Sequence, residues 1–194
     1  MTRIFVTLAA VNAAALLLTF GVGVAFMYER EAGALAPAPA QPLGWSWFTA
    51  HIVLALFTAV LTLLVHCLIF TYFLGTGRWV KEVARSYGLP DQHLPRQTRE
   101  FKRRAFPPAL FAMLVTIAAA ASGAGAQAPG ETAWHWAHPI LAVITLVING
   151  WAYVVEYQTV SANVVVVNQV KEQADRMRAE QLAFAAPEAG GREA

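Results

Sequence analysis

The sequence predicts an all-α integral membrane protein, a four-helix transmembrane bundle, and three observations predict it. Of the 194 residues, 57% are hydrophobic and only 13% charged, which leaves too little polar surface to cover a soluble domain. Four stretches, 4–27, 47–74, 106–126 and 138–158, are apolar over roughly the 20 residues that a helix needs to cross a hydrocarbon layer. The basic residues are segregated along the chain. Eight of them (Arg78, Lys81, Arg85, Arg96, Arg99, Lys102, Arg103, Arg104) lie between the second and third stretches, and Arg3, Lys171, Arg176, Arg178 and Arg192 fall on the same side of a four-span path, with Arg30 alone opposite.

Each span is expected as a helix, because hydrocarbon offers no partner to an unpaired backbone group. The first, 4–27, follows Arg3; its apolar run is longer than the core of a secretory signal, so it reads as a span. The Ala/Pro-rich segment "GALAPAPAQP" then reads as a spacer without a core of its own. The second span starts behind Trp45 and Trp47 and the fourth behind Trp134 and Trp136, indole rings that favour the headgroup level. In both places a histidine follows, His51 and His138, and this shared start points to a duplicated helical hairpin.

Positive charge orients the bundle with both termini and the 77–105 loop in the cytoplasm. That loop is expected to hold a short helix from Arg78 to Tyr87, stopped by "YGLP", with Pro107 and Pro108 opening the third span. Its charge suits anionic lipid headgroups, and topology accounts for the basic run without a nucleic-acid partner. The fourth helix is expected to continue into the cytoplasm over 159–185, before a disordered tail at 186–194. Reporter fusions after Lys102 and after Arg178 are expected to read cytoplasmic and one at Ala38 external. A cytoplasmic reading at Ala38 would overturn the orientation. The composition and topology together place the chain in a cell membrane as a multi-pass protein, the bacterial inner membrane by this reading.

The candidate functional residues are the polar ones inside the spans. On the fourth helix His138, Thr145, Asn149, Glu156 and Asn163 fall within a band of about 40°; on the second, His51, Thr58, Thr62 and His66 fall within about 80°. Such stripes turn inward, since a polar group facing lipid goes unpaired. Because these two helices run parallel, two layers are expected. The outer holds His51 and His138, with His135 nearby; the inner holds His66 and Glu156, with Tyr72, Tyr153 and Tyr157 near them along the helices. His93 lies in the basic loop, outside both. The lone Cys67 reads as an inert packing residue.

Three functions fit these layers. The sequence favours a non-catalytic membrane subunit or scaffold, whose basic loop and helical extension bind a membrane or cytoplasmic protein and whose stripes set helix packing. A second reading is an electron-transfer module in which His51 and His138 bind metal as the axial ligands of one b-type haem, with quinone as electron partner. A third is proton or small-solute conduction with His66 and Glu156 as proton-handling groups. No Walker loop, nucleophile triad, Cys-x-x-Cys pair or zinc-protease motif is present, and the sequence does not predict an enzyme.

Overall fold

The computed structural model of the chain describes residues 1–33, 46–89, 93–127 and 133–189. All four expected spans are α-helical: α1 (Thr2–Gly33), α2 (Trp47–Ser86), α3 (His93–Gly125) and α4 (Trp134–Ala189). Each carries a window apolar enough to cross a membrane, with mean hydropathy from 1.7 on α4 to 2.7 on α2. The Ala/Pro-rich spacer and the last five residues lie outside the described residues.

The bundle is polar inside and apolar outside. Leu17, Leu56, Phe57, Phe111, Leu114, Val147 and Val154 are exposed, whereas Asn12, Thr62, His66, Asn149, Glu156 and Asn163 are buried. Water would reverse that distribution; lipid does not. Several threonine hydroxyls within the spans are satisfied by their own helix, as when Thr62 donates to the Thr58 carbonyl at 2.8 Å and Thr145 to that of Leu141 at 2.7 Å. This local bond lets a hydroxyl enter hydrocarbon without an unpaired donor.

Around the bundle α1 meets α2 and α4, and α3 meets α2 and α4. Across it α2 touches α4, whereas α1 and α3 do not meet among the described residues. The section is therefore a rhombus with α2 and α4 on its short diagonal. Residues that face one another from α2 and α4 consequently meet at the centre.

Helix ends depart from the sequence expectation at the end of the bundle where the basic residues gather, called here the basic end. The expected short helix from Arg78 is the last part of α2 itself, unbroken from Trp47. Its stop is where "YGLP" placed it: Gly88 takes φ +59°, its N–H donates to the Arg85 carbonyl, and the Leu89 N–H reaches the Ala84 carbonyl at 3.0 Å. These are the paired bonds of a glycine-terminated helix. α3 begins at His93, well before Pro107, so the two prolines lie inside the helix rather than at its start. The extra turns are held by burial of Leu94 against Val80 of α2 and Val166 and Val170 of α4. That packing offsets the backbone bonds the prolines remove. α4 starts at Trp134, one turn before His138, and continues without interruption through the expected extension, 159–185, and on to Ala189, so residues 186–189 are helical rather than part of a disordered tail.

Candidate functional site

The outer layer is built from two histidines, each seated on a glycine. His51 of α2 lies against Gly23 of α1, where an added Cβ would stand 2.8 Å from the ring Cε1; His138 of α4 lies against Gly123 of α3, where the same distance would be 2.9 Å. Real Cβ atoms essentially never approach that closely, so a larger residue at either position would displace the ring. The two imidazoles face each other across the short diagonal with centroids 6.1 Å apart and planes crossing at 76°.

A backbone carbonyl orients the His138 ring. His138 Nδ1 lies 3.1 Å from the Ala119 carbonyl oxygen, which can only accept, so Nδ1 carries the hydrogen and Nε2 keeps its lone pair. Ser122 donates to the same carbonyl at 2.8 Å and sits 3.1 Å from the ring nitrogen. His51 Nδ1 is buried without a hydrogen-bond partner among the described residues. A neutral imidazole pinned through Nδ1 is the form in which histidine ligates a metal through Nε2.

Beneath the two rings lies a small, partly open cavity of about 90 Å³. That is below the roughly 300–1,000 Å³ of small-molecule and cofactor clefts, so a bound cofactor would have to widen it. Its walls repeat in one register. On α2 and α4, His51 matches His138, Ala55 matches Ala142 and Thr58 matches Thr145; on α1 and α3, Leu16 matches Thr116, Thr19 matches Ala119 and Phe20 matches Ala120. The remaining pair is Ala59 and Leu146. The hairpin α1–α2 and the hairpin α3–α4 thus build two halves of one cavity, related by a pseudo-twofold. The shared Trp and His at the starts of α2 and α4 belong to this repeat: Trp47 and Trp134 each stand one turn before the facing histidine. Trp45 lies outside the described residues.

The floor is closed by the inner layer. His66 and Glu156 are both 0% exposed, and His66 Nδ1 is 2.7 Å from Glu156 Oε1. His66 Nε2 is 2.9 Å from Asn149 Oδ1, and Asn149 Nδ2 donates to the Thr145 carbonyl at 2.8 Å and towards Thr116 Oγ1 at 3.3 Å. Tyr153 stacks on the His66 ring, centroids 5.3 Å apart and planes 13° from parallel. The Tyr153 hydroxyl is bonded by Asn12 of α1, which also donates to Thr62. One turn further, Asn163 donates to the Tyr72 hydroxyl at 3.1 Å.

The structure therefore brings together each pair that the sequence nominated, His51 with His138 and His66 with Glu156. It leaves His135 partly exposed and Tyr157 exposed on the outer surface of the bundle. His93 stands exposed at the start of α3, remote from both layers. Gly123, Ala55, Ala59 and Ala119 are not legible as site residues in the sequence. A glycine or alanine in an apolar run has no distinctive signature; only the repeated Trp and His pointed to a second copy in which to look for its counterpart.

No three His, Cys, Asp or Glu side chains converge among the described residues in the manner of a bare-ion site. A ligand set of two imidazoles suits a metal whose other positions a macrocycle fills. Comparison with protein-family models, curated proteins and solved structures finds no match to the chain. The four apolar helices make it a multi-pass membrane protein.

Proposed function

We propose that the bundle holds one b-type haem between His51 and His138 and passes single electrons within the membrane. The observation that carries this reading is the facing of the two rings at 6.1 Å over a shared cavity. Two metal–nitrogen bonds of about 2 Å, each with about 1 Å from nitrogen to ring centre, put axial imidazoles about 6 Å apart. His51 and His138 would hold the group, which would supply one-electron redox chemistry; beside them α3 presents the small Thr116, Ala119 and Ala120, and α1 presents Leu16, Thr19 and Phe20. Five alanines, four threonines whose hydroxyls are all hydrogen-bonded, Leu16, Phe20 and Leu146 line the space beside the two histidines, a surface suited to an apolar ring system.

A scaffold alone gives no reason for this arrangement. Packed interiors leave few voids larger than a water molecule, and two glycines that exist only to admit two facing imidazoles are not demanded by helix packing. The proposal includes a single haem. The inner layer offers His66 opposite Tyr153 rather than a second imidazole, and its groups are buried against one another. A lipid-soluble quinone or quinol is the electron partner whose chemistry matches a carrier enclosed in the bilayer. In the same reading the basic end faces the cytoplasm and anionic headgroups, and the α4 extension is available to a protein partner. The test is the visible spectrum of the purified protein and its loss when either outer histidine is replaced.

A further inference from the structure

Proton positions in the inner layer follow from its geometry. Asn149 uses Nδ2 on the Thr145 carbonyl and Thr116, so its Oδ1 faces His66 as an acceptor and His66 Nε2 must carry hydrogen. One more hydrogen then occupies the 2.7 Å contact between His66 Nδ1 and Glu156 Oε1. Drawn as imidazolium and carboxylate or as imidazole and carboxylic acid, the pair is neutral. Glu156 Oε2 remains as a buried acceptor with no hydrogen-bond partner among the described residues.

The pseudo-twofold shows that packing does not require these groups. Continuing the register of His51 and His138 down the two helices, His66 corresponds to Tyr153 and Glu156 to Ile69, which is itself buried at 2% exposure. The same position in the other hairpin is thus filled by an apolar side chain. A carboxyl group there carries a desolvation cost that isoleucine does not.

Polar contacts join the pair to the cavity above. One arm runs from His66 through Asn149 to Thr116 and Thr145, which line the cavity floor. The other runs from Tyr153, stacked on His66, through Asn12 and Thr62 to Thr58, also a lining residue and bonded to Thr19 at 2.8 Å.

We propose that the His66–Glu156 pair is a proton-binding site linked to the redox state of the outer site, with Glu156 Oε2 the atom that receives the proton. This rests on the haem reading above. With a haem bound, its one-electron reduction by a quinol-class donor would add one negative charge between His51 and His138. One proton from water forms an O–H bond at Glu156 Oε2, and the pair goes from neutral to a single positive charge. At about 1.5 Å per residue the pair lies about 22 Å along α2 from His51. Over that span the charges interact through an interior that mobile counterions do not screen.

Few other groups can titrate beside the pair. α4 brings Tyr153, and α2 brings Tyr72 nearer the basic end; α1 contributes Asn12 and α3 contributes Thr116, neither of them ionisable. Because reduction favours the protonated pair, the midpoint potential of the holoprotein falls as pH rises.

The experiment is redox potentiometry of the purified haem protein across pH, for the native chain and Glu156→Gln, whose amide cannot take the proton. The native chain is expected to show a falling potential, and Glu156→Gln is expected to keep its haem spectrum and lose that part of the pH dependence. Equal pH slopes in the two proteins overturn the proposal. Should Glu156→Gln not fold, redox-difference infrared spectra of the native chain with 13C-labelled glutamate decide it: a protonated-carboxyl band that grows on reduction supports the site, and no such band overturns it. A colourless native protein fails the haem reading itself, whereas a haem protein with equal slopes fails only this one.

Discussion

Replacement of Gly123 by valine is expected to abolish haem binding without unfolding the bundle. Even alanine there would set Cβ 2.9 Å from His138 Cε1 and 3.2 Å from Nδ1, so the ring must leave the Ala119 carbonyl that orients it. Loss of such an orienting bond lowers metal affinity about 10- to 100-fold; the branched valine side chain leaves the ring no room at all. Gly23→Val should behave alike through His51, whose Cε1 would stand 2.8 Å from the new Cβ. Gly150→Ala is the control, because nothing stands within 4 Å of its added Cβ. On a helix surface that change is worth up to about 1 kcal/mol of added stability, and haem content should not alter. Haem titration of the three variants measures the effect. Equal haem affinity in Gly123→Val and Gly150→Ala would mean that the histidine does not use the geometry described.

The second large effect is on stability. His66→Leu leaves the Glu156 carboxyl fully buried with neither oxygen bonded to a ring nitrogen, and it leaves Asn149 Oδ1 without its donor. Removing one member of a buried pair is destabilising by about 3–5 kcal/mol, whereas replacing both by apolar groups of similar volume is often nearly neutral. Thermal unfolding in detergent, followed by circular dichroism, should therefore show a large drop for His66→Leu and a much smaller one for His66→Leu combined with Glu156→Leu. Ile69, at the position equivalent to Glu156, shows that the fold accommodates an aliphatic chain there. A double variant less stable than the single would contradict the idea that the pair is held together against its desolvation.

The helices and the two layers were legible from the sequence because both depend on quantities that the sequence states directly. Apolar run length gives the spans, and in parallel helices equal numbers of residues from the same interface give equal depth. That reasoning alone sets His51 level with His138 and His66 level with Glu156. The start of α3 was not legible. Residues 93–105 are basic and carry no amphipathic signal strong enough to outweigh Pro107 and Pro108, and the burial of Leu94 against Val166 and Val170 comes from α4, far along the chain. The cavity was not legible either, since Ala55, Ala119, Ala120 and Ala142 acquire meaning only when four helices leave their small side chains facing one space. The repeat carried half of the information. Trp47 and His51 against Trp134 and His138 revealed the match of α2 with α4, while α1 and α3, where Gly23 answers Gly123, share too little sequence to reveal theirs.

The reduced-minus-oxidised visible spectrum of the protein, expressed with ample haem and purified in mild detergent, tests the central claim most directly. The account predicts a sharp Soret band and resolved α and β bands on reduction, characteristic of low-spin haem with two imidazole ligands. His51→Ala and His138→Ala should each lose this spectrum, since each removes one axial ligand, while His93→Ala should retain it because that residue begins α3 at the basic end. A colourless native protein with no bound metal, or bands that survive both outer-histidine replacements, would contradict it.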